Sequence, residues 1–306
     1  MYFNFHLYIR MPARKKRETN DNDIVNVRLK KFNMKSIGDN KIIIFIGKRN
    51  TGKSVLVLDY LYHHQDFPLG TVISPTDDFN FTYKPHIPSI FIHEEYTPEL
   101  VEQVLKRQKD ICRNCRLDPK YKGVDPRAFV ILDDCLADSG DWVKDKNIKW
   151  IFMNGRHAQV TFILTMQYPL GITPNLRTNV DYIFICKEPK VNNMKKLYEH
   201  YAGMFPTFEM FRAVLKHCTK DYGCLVIDNS STSDKLEDQV FWYRAETNRP
   251  NFEDFRLCYP VFWKNNDKYL ESKKETLDNQ QEEEVDYTRL AGRRNQINFS
   301  VKQLIE

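Results

Sequence analysis

Residues 47–54 read Gly-Lys-Arg-Asn-Thr-Gly-Lys-Ser. This is the spacing G-x-x-x-x-G-K-[ST], which cradles the phosphates of a nucleoside triphosphate. Each residue type has a task. Gly47 and Gly52 let the backbone curl, so that the N–H groups of Lys48, Arg49, Asn50 and Thr51 turn inward. Lys53 carries a charge to the β- and γ-phosphates, and Ser54 offers a hydroxyl to Mg²⁺. ATP with Mg²⁺ is therefore the expected ligand pair. A helix that starts where the loop ends would add its N-terminal dipole to the attraction for anions.

A second constellation lies at residues 128–134, Ala-Phe-Val-Ile-Leu-Asp-Asp. An apolar strand that ends in acids is the Walker B pattern. Asp133 is expected in the Mg²⁺ shell. Asp134 is expected to orient and deprotonate the attacking water. An Asp-rich turn at a strand end is common, so the pair gains its meaning from the loop at 47–54.

A third strand, at 160–166, runs into Gln167. A polar side chain there would sit between the two Walker strands and sense the γ-phosphate or position water; a plain strand cap is the bland alternative. Arg156, in Asn154-Gly155-Arg156-His157, and Arg177, in Asn175-Leu176-Arg177, are candidates for stabilising transition-state charge. Arginine suits that task because it is planar, always charged and a multiple donor. Either would more ordinarily be a surface ion-pair residue. Arg156 is preferred because a turn after the Walker B helix can reach a subunit boundary.

The elements that must hold these residues follow from the hydrophobic pattern. Strand signals fall at 42–46, 71–74, 90–92, 128–133, 160–165, 181–186, 223–228 and 239–244. Helical stretches fall at 53–65, 98–117, 143–154, 191–201 and 207–218. The run Ile42 to Ile46 is apolar throughout, as a strand buried on both faces requires. Alternating strands and helices predict an α/β fold, a mainly parallel sheet with helices on both faces. Such sheets bind ligands at the carboxyl ends of their strands.

The chain has 306 residues, 42% of them apolar and a formal net charge of +5. That suits one α/β domain of about 200 to 250 residues with extensions. The expected division is a basic arm and lead-in segment at 1–40, the nucleotide domain at 41–250, and a polar, mobile tail at 251–306. Arg14 to Arg17 form a basic knot, and Arg28, Lys30, Lys31 and Lys35 follow. Such a run would touch nucleic acid, act as a nuclear address or simply be a solvated arm. Ile297 to Ile305 is a candidate docking segment. Either Met1 or Met11 is expected to be the start.

No apolar stretch approaches the roughly 18 residues of a membrane-spanning helix, and no signal peptide is recognisable, so secretion is not expected. Seven cysteines, an odd number in a chain with a nucleotide motif, are expected to be reduced thiols. Cys112 and Cys115 form one C-x-x-C without a second pair nearby. They are expected on one face of a helix rather than on zinc.

Together, Gly47–Ser54, the Leu-Asp-Asp-Cys at 132–135, the Asn-Gly-Arg-His at 154–157 and Gln167 resemble the genome-packaging ATPases of large nucleocytoplasmic DNA viruses. Those belong to the FtsK–HerA superfamily. The resemblance covers about residues 40 to 230. It implies a P-loop core of the additional-strand, catalytic-acid type and an oligomeric ring. It also implies ATP-driven movement of double-stranded DNA, independent of sequence, into a viral capsid or portal vertex. The corresponding location is the host cytoplasm at viral assembly sites, or the virion. Asp134 departs from the Glu usual in the wider superfamily but fits the viral branch.

Other classes share parts of this pattern. A small GTPase is disfavoured, since Asn-Lys-x-Asp is missing and Walker B ends in two acids. A small-molecule kinase, or a scaffold in which ATP orders an interface without turnover, would also carry the loop. DNA-stimulated ATP turnover separates the three.

Overall fold

The computed structural model describes residues 5–10, 24–135 and 142–281 of the chain. Two compact units divide at Trp263 and Lys264. The first is built on a ten-stranded sheet. Its strands are β1 (Phe5–Arg10), β2 (Ile24–Lys31), β3 (Ile42–Ile46), β4 (Gly70–Ile73), β5 (Ile92–His93), β6 (Ala128–Leu132), β7 (Val160–Met166), β8 (Tyr182–Ile185), β9 (Cys224–Asp228) and β10 (Val240–Tyr243). Helices α1 (Lys53–His63), α2 (Asp77–Asn80), α3 (Pro98–Leu117), α4 (Lys146–Asn154), α5 (Pro174–Arg177), α6 (Val191–Tyr201), α7 (Phe208–Cys218) and α8 (Leu236–Gln239) connect them.

The strand order is β1-β2-β10-β9-β8-β3-β7-β6-β4-β5. From β8 through β5 every neighbouring pair is parallel. Only β9 and β1 run against the rest. The sheet is thus mainly parallel, as its apolar, β-branched strands predict. The decisive feature is β7. It lies between β3, which carries the phosphate loop, and β6, which carries the acids. This is the additional strand that the fold class requires.

Alternate residues of the central strands feed two cores. Ile42, Ile44, Ile46, Val130, Leu132, Phe162, Leu164 and Met166 pack with α3, α4, α6 and α7 on one face. Ile43, Phe45, Phe129, Ile131, Ile163 and Phe184 pack on the other face with Leu56, Val57, Tyr60 and Leu61 of α1. Ile43, Ile44 and Phe45 are 0% exposed, and burying each such side chain is worth about 1.5–3 kcal/mol. The period of two in a strand explains the division, since successive side chains point to opposite faces.

Elements also lie outside the 41–250 span. Met34 and Ile37 enter the core on the α1 face, as do Phe255 and Leu257. β2 pairs with β10 through Phe241↔Lys30 and Trp242↔Lys31. Lys30 and Lys31, expected in a basic arm, are instead on a strand and paired with Asp238 and Glu246. The strand expected at 90–92 is a 3-10 turn at Ser89–Phe91 followed by the two-residue edge strand β5. Residues 251–281, expected to be a mobile tail, include a helix, α9 (Pro260–Gln281). The second unit is described only over 264–281. The Arg14–Arg17 knot and Ile297–Ile305 lie outside the described residues.

Candidate nucleotide site

The phosphate loop forms at the carboxyl end of β3. Gly47 N–H donates to Met166 O at 2.9 Å, and Cys186 N–H donates to Ile46 O at 2.8 Å. These bonds hold the loop between the ends of β7 and β8. A Cβ on Gly47 would stand 2.6 Å from Cys186 Cβ and 2.6 Å from Thr51 Oγ1, so any side chain would force the loop off its floor. Gly52 has φ +91, a left-handed value that glycine adopts without a Cβ penalty. It is the N-cap of α1, and no side chain caps the helix, nor does an acid occupy its first turn. The first N–H groups of α1 therefore remain available to an anion.

Lys53 points back into the loop. Its Nζ donates to Lys48 O at 3.0 Å, and Thr51 Oγ1 donates to the same carbonyl at 2.7 Å. Burial pulls the Lys53 pKa down, while Asp134, Cys186 and Asp133 push it back up. The ammonium is thus held by its own loop and by the acids across the cleft. Lys48 Nζ stands 3.6 Å from Glu188 Oε1. Glu188 is itself fixed by Lys190 N–H at 2.8 Å and Asn193 Nδ2 at 3.0 Å. Arg49 and Asn50 are exposed, and Ser54 is half-buried in the first turn of α1.

The acids come from the end of β6. Asp133 is 4% exposed. Burial raises its pKa, opposed by the Thr165 hydroxyl and the neighbouring Tyr83 hydroxyl. Thr165 Oγ1 donates to Asp133 Oδ1 at 2.6 Å and accepts from Asp134 N–H at 2.9 Å. One hydroxyl on β7 therefore ties both acids. Asp134 adopts φ 54, in the left-handed region that Asp tolerates better than most residues. Its carboxylate takes two contacts from Gln167 Nε2, at 2.6 and 2.7 Å. Gln167 thus sits at the end of the strand between the Walker strands and faces Asp134.

The donor set fits a hard cation. Ser54 and Asp133 offer a hydroxyl and a carboxylate, and Mg²⁺ is held by one or two carboxylates plus substrate phosphates. Among the described residues there is no group of three or more His, Cys, Asp or Glu that would hold a metal by itself. Cys112 and Cys115 both lie on α3. No disulfide joins any of the seven cysteines.

The arginines lie elsewhere. Arg156 is exposed in the turn before β7, beside Asn40, Lys41 and Asp181 at the amino ends of β3 and β8. The length of β7 separates it from Gln167, roughly 20 Å at 3.3 Å per residue. Arg156 is therefore not part of the site in its own chain. Arg177 lies in the crossover to the amino end of β8. Its guanidinium is 5.7 Å from the ring centre of Tyr201, whose hydroxyl donates to Pro169 O at 2.6 Å.

Sequence reasoning did not single out Thr165, Tyr83 or Glu188. Thr165 had a signal, as the one hydroxyl in an otherwise apolar strand end, Phe-Ile-Leu-Thr-Met. Tyr83 and Glu188 had none, because they reach the site through the fold.

No described helix is long and apolar enough to cross a membrane. Residues 29–248 match the sequence profile of a family described as "Poxvirus A32 protein". An uncharacterized protein of Acanthamoeba polyphaga mimivirus is 43% identical over 226 residues, which cover 73% of this chain and 79% of that protein. An uncharacterized protein of Invertebrate iridescent virus 6 is 38% identical over 227 residues, covering 73% and 81%. Among solved structures, the genome packaging NTPase of Sulfolobus turreted icosahedral virus 2 in complex with AMP has a TM-score of 0.48 and 14% identity. That match covers 69% of this chain and 100% of the viral NTPase.

Proposed function

The chain belongs to the Poxvirus A32 protein family, and from that premise and the site geometry we propose that it is a DNA-packaging ATPase of a virus. The observation that carries the hydrolytic half is the Gln167–Asp134–Thr165–Asp133 chain set across the cleft from Lys53. A scaffold that only binds ATP needs no carboxylate fixed beside the phosphate loop, whereas turnover does. Here the second acid is held by a carboxamide and a backbone bond, the arrangement a water-activating base requires.

In this reading the phosphates of ATP lie on residues 47–54. Lys53 exchanges its bond to Lys48 O for the β- and γ-phosphates. Ser54 and Asp133 would hold Mg²⁺, which when bound neutralises charge on the phosphate oxygens. Asp134 takes the proton of the attacking water, and Gln167 fixes the direction of the carboxylate. The stabilising arginine comes from a neighbouring subunit of a homo-oligomeric ring, with Arg156 preferred over Arg177. A closed ring sets one surface of each protomer against a different surface of the next, so one subunit can complete its neighbour's site.

The work done is translocation of double-stranded DNA into a capsid or portal vertex, at viral assembly sites in the host cytoplasm. DNA is held through phosphates, so binding is independent of sequence and sensitive to salt. The test is ATP turnover with and without duplex DNA of unrelated sequences, at several salt concentrations. Stimulation by every duplex, fading with salt, is expected. Turnover that needs a small phosphate acceptor would make the protein a kinase; negligible turnover under all conditions would make it a scaffold.

A further inference from the structure

The turn between α7 and β9 brings an aromatic ring to the phosphate loop. β9 runs against β8, with Tyr182 opposite Asp228 and Ile185 opposite Leu225. The amino end of β9 therefore lies at the same end of the sheet as the carboxyl ends of β8 and β3. That geometry sets residues 219–223 beside the loop at 47–52. A Cβ built on Gly52 would be 3.8 Å from Tyr222 Cδ1 and 3.9 Å from Tyr222 Cβ. The ring is thus in van der Waals reach of the second glycine of the motif, on the side away from the acids.

Two further observations mark this residue. Tyr222 is 72% exposed. Its backbone is also unusual. Asp221 and Tyr222 both have positive φ, 48 and 60, the central pair of a primed turn that Gly, Asn and Asp ordinarily fill, so a tyrosine at the second position is out of type. The turn is closed by Gly223 N–H donating to Lys220 O at 2.8 Å. The strained turn holds the ring out in solvent at the rim of the phosphate site.

We propose that Tyr222 is the base platform of this site: its ring stacks the purine of the nucleotide whose phosphates rest on residues 47–54. The inference rests on the nucleotide-binding reading above. A triphosphate anchored at the start of α1 projects its nucleoside outward from the loop, and the flat face of a base pairs well with an aromatic side chain. Stacking does not read base edges. Tyr222 therefore contributes equally to ATP and GTP, the two nucleotides whose bases offer the larger ring face.

Calorimetry on the full chain tests this with ATPγS, GTPγS and inorganic tripolyphosphate. Tyr222→Ala should weaken both nucleotides by roughly five- to 150-fold, the range of a lost aromatic–base stack. Tripolyphosphate, which has no base, should bind as it does to the wild-type chain. Tyr222→Phe, which keeps the ring, should bind all three normally. Unchanged nucleotide affinity in Tyr222→Ala would overturn the proposal. So would an equal loss for tripolyphosphate, which would make the ring a prop for the loop. Wild-type protein that binds none of the three ligands would instead sink the nucleotide site itself, and the platform with it.

Discussion

Gln167 donates from its carboxamide nitrogen to both oxygens of Asp134, at 2.6 and 2.7 Å. The contact joins the end of β7 to the end of β6 and sets the direction in which the carboxylate faces. Asp134→Asn should leave Mg-ATP binding intact and slow hydrolysis by about 10² or more, the scale of a positioned base. Gln167→Ala should produce a smaller loss of the same kind. Asp133→Asn should instead alter the Mg²⁺ dependence. Identical behaviour of the two aspartate variants in a metal titration would refute this division of roles.

Lys53 is the charged group bonded inside the loop, through Lys48 O at 3.0 Å. Lys53→Ala removes the ammonium that would otherwise meet the β- and γ-phosphates. Turnover should be lost and nucleotide affinity should fall, as read by steady-state phosphate release and calorimetry. Near-normal hydrolysis in this variant would remove the site assignment.

Arg156 stands at the amino end of β7, far from the loop of its own chain. If it completes a neighbour's site, Arg156→Ala should bind ATP normally and fail to hydrolyse it. Mixed with Lys53→Ala subunits, each inactive alone, activity should partly return wherever an intact arginine meets an intact loop. No recovery in verified mixed rings would leave Arg156 a structural role and make Arg177 the next residue to test.

His63 on α1 accepts a hydrogen bond at Nε2 from Arg249, which also donates to Asp59 at 2.8 Å. Burial, and then the Arg249 charge, bring its pKa down from 6.5 to about 4. Between those values the unfolded chain binds a proton that the folded chain refuses. Stability from this group is therefore complete above pH 6.5 and declines as pH falls toward 4. His63→Gln should lose less stability than wild type between pH 7.5 and 5, by about 1–2 kcal/mol. Equal losses in urea titrations would show that the pair carries no such linkage.

The legible parts were those whose signal is local. The phosphate loop, the paired acids and Gln167 each announce themselves within a few residues of an apolar strand, and α3 and α6 begin and end where the pattern places them. The placement of Gln167 between the Walker strands rested on the pairing of the loop with the acids, since strand order itself is a property of long-range pairing.

What escaped was spatial. β2 alternates Val25, Val27 and Leu29 with Asn26, Arg28 and Lys30, a proper strand pattern masked by its basic charge. α9 was hidden by its polarity, because a helix without a broad apolar stripe looks like a solvated tail. Glu188 and Tyr222 reach the loop from the far sides of β8 and β9, more than a hundred residues along the chain.

The Thr165 hydroxyl, which donates to Asp133 and accepts from the backbone of Asp134, has a consequence for inheritance. Most positions of β7 can drift among Val, Ile and Leu, since only shape and burial are asked of them. Position 165 cannot. A serine there keeps both bonds and sheds a methyl group. A valine fills the same volume and forfeits both, leaving a folded protein whose two acids are no longer coupled. A lineage of this protein can thus exchange Val160, Ile163 or Leu164 for residues of like shape, while a single codon change at 165 separates the fold from its chemistry.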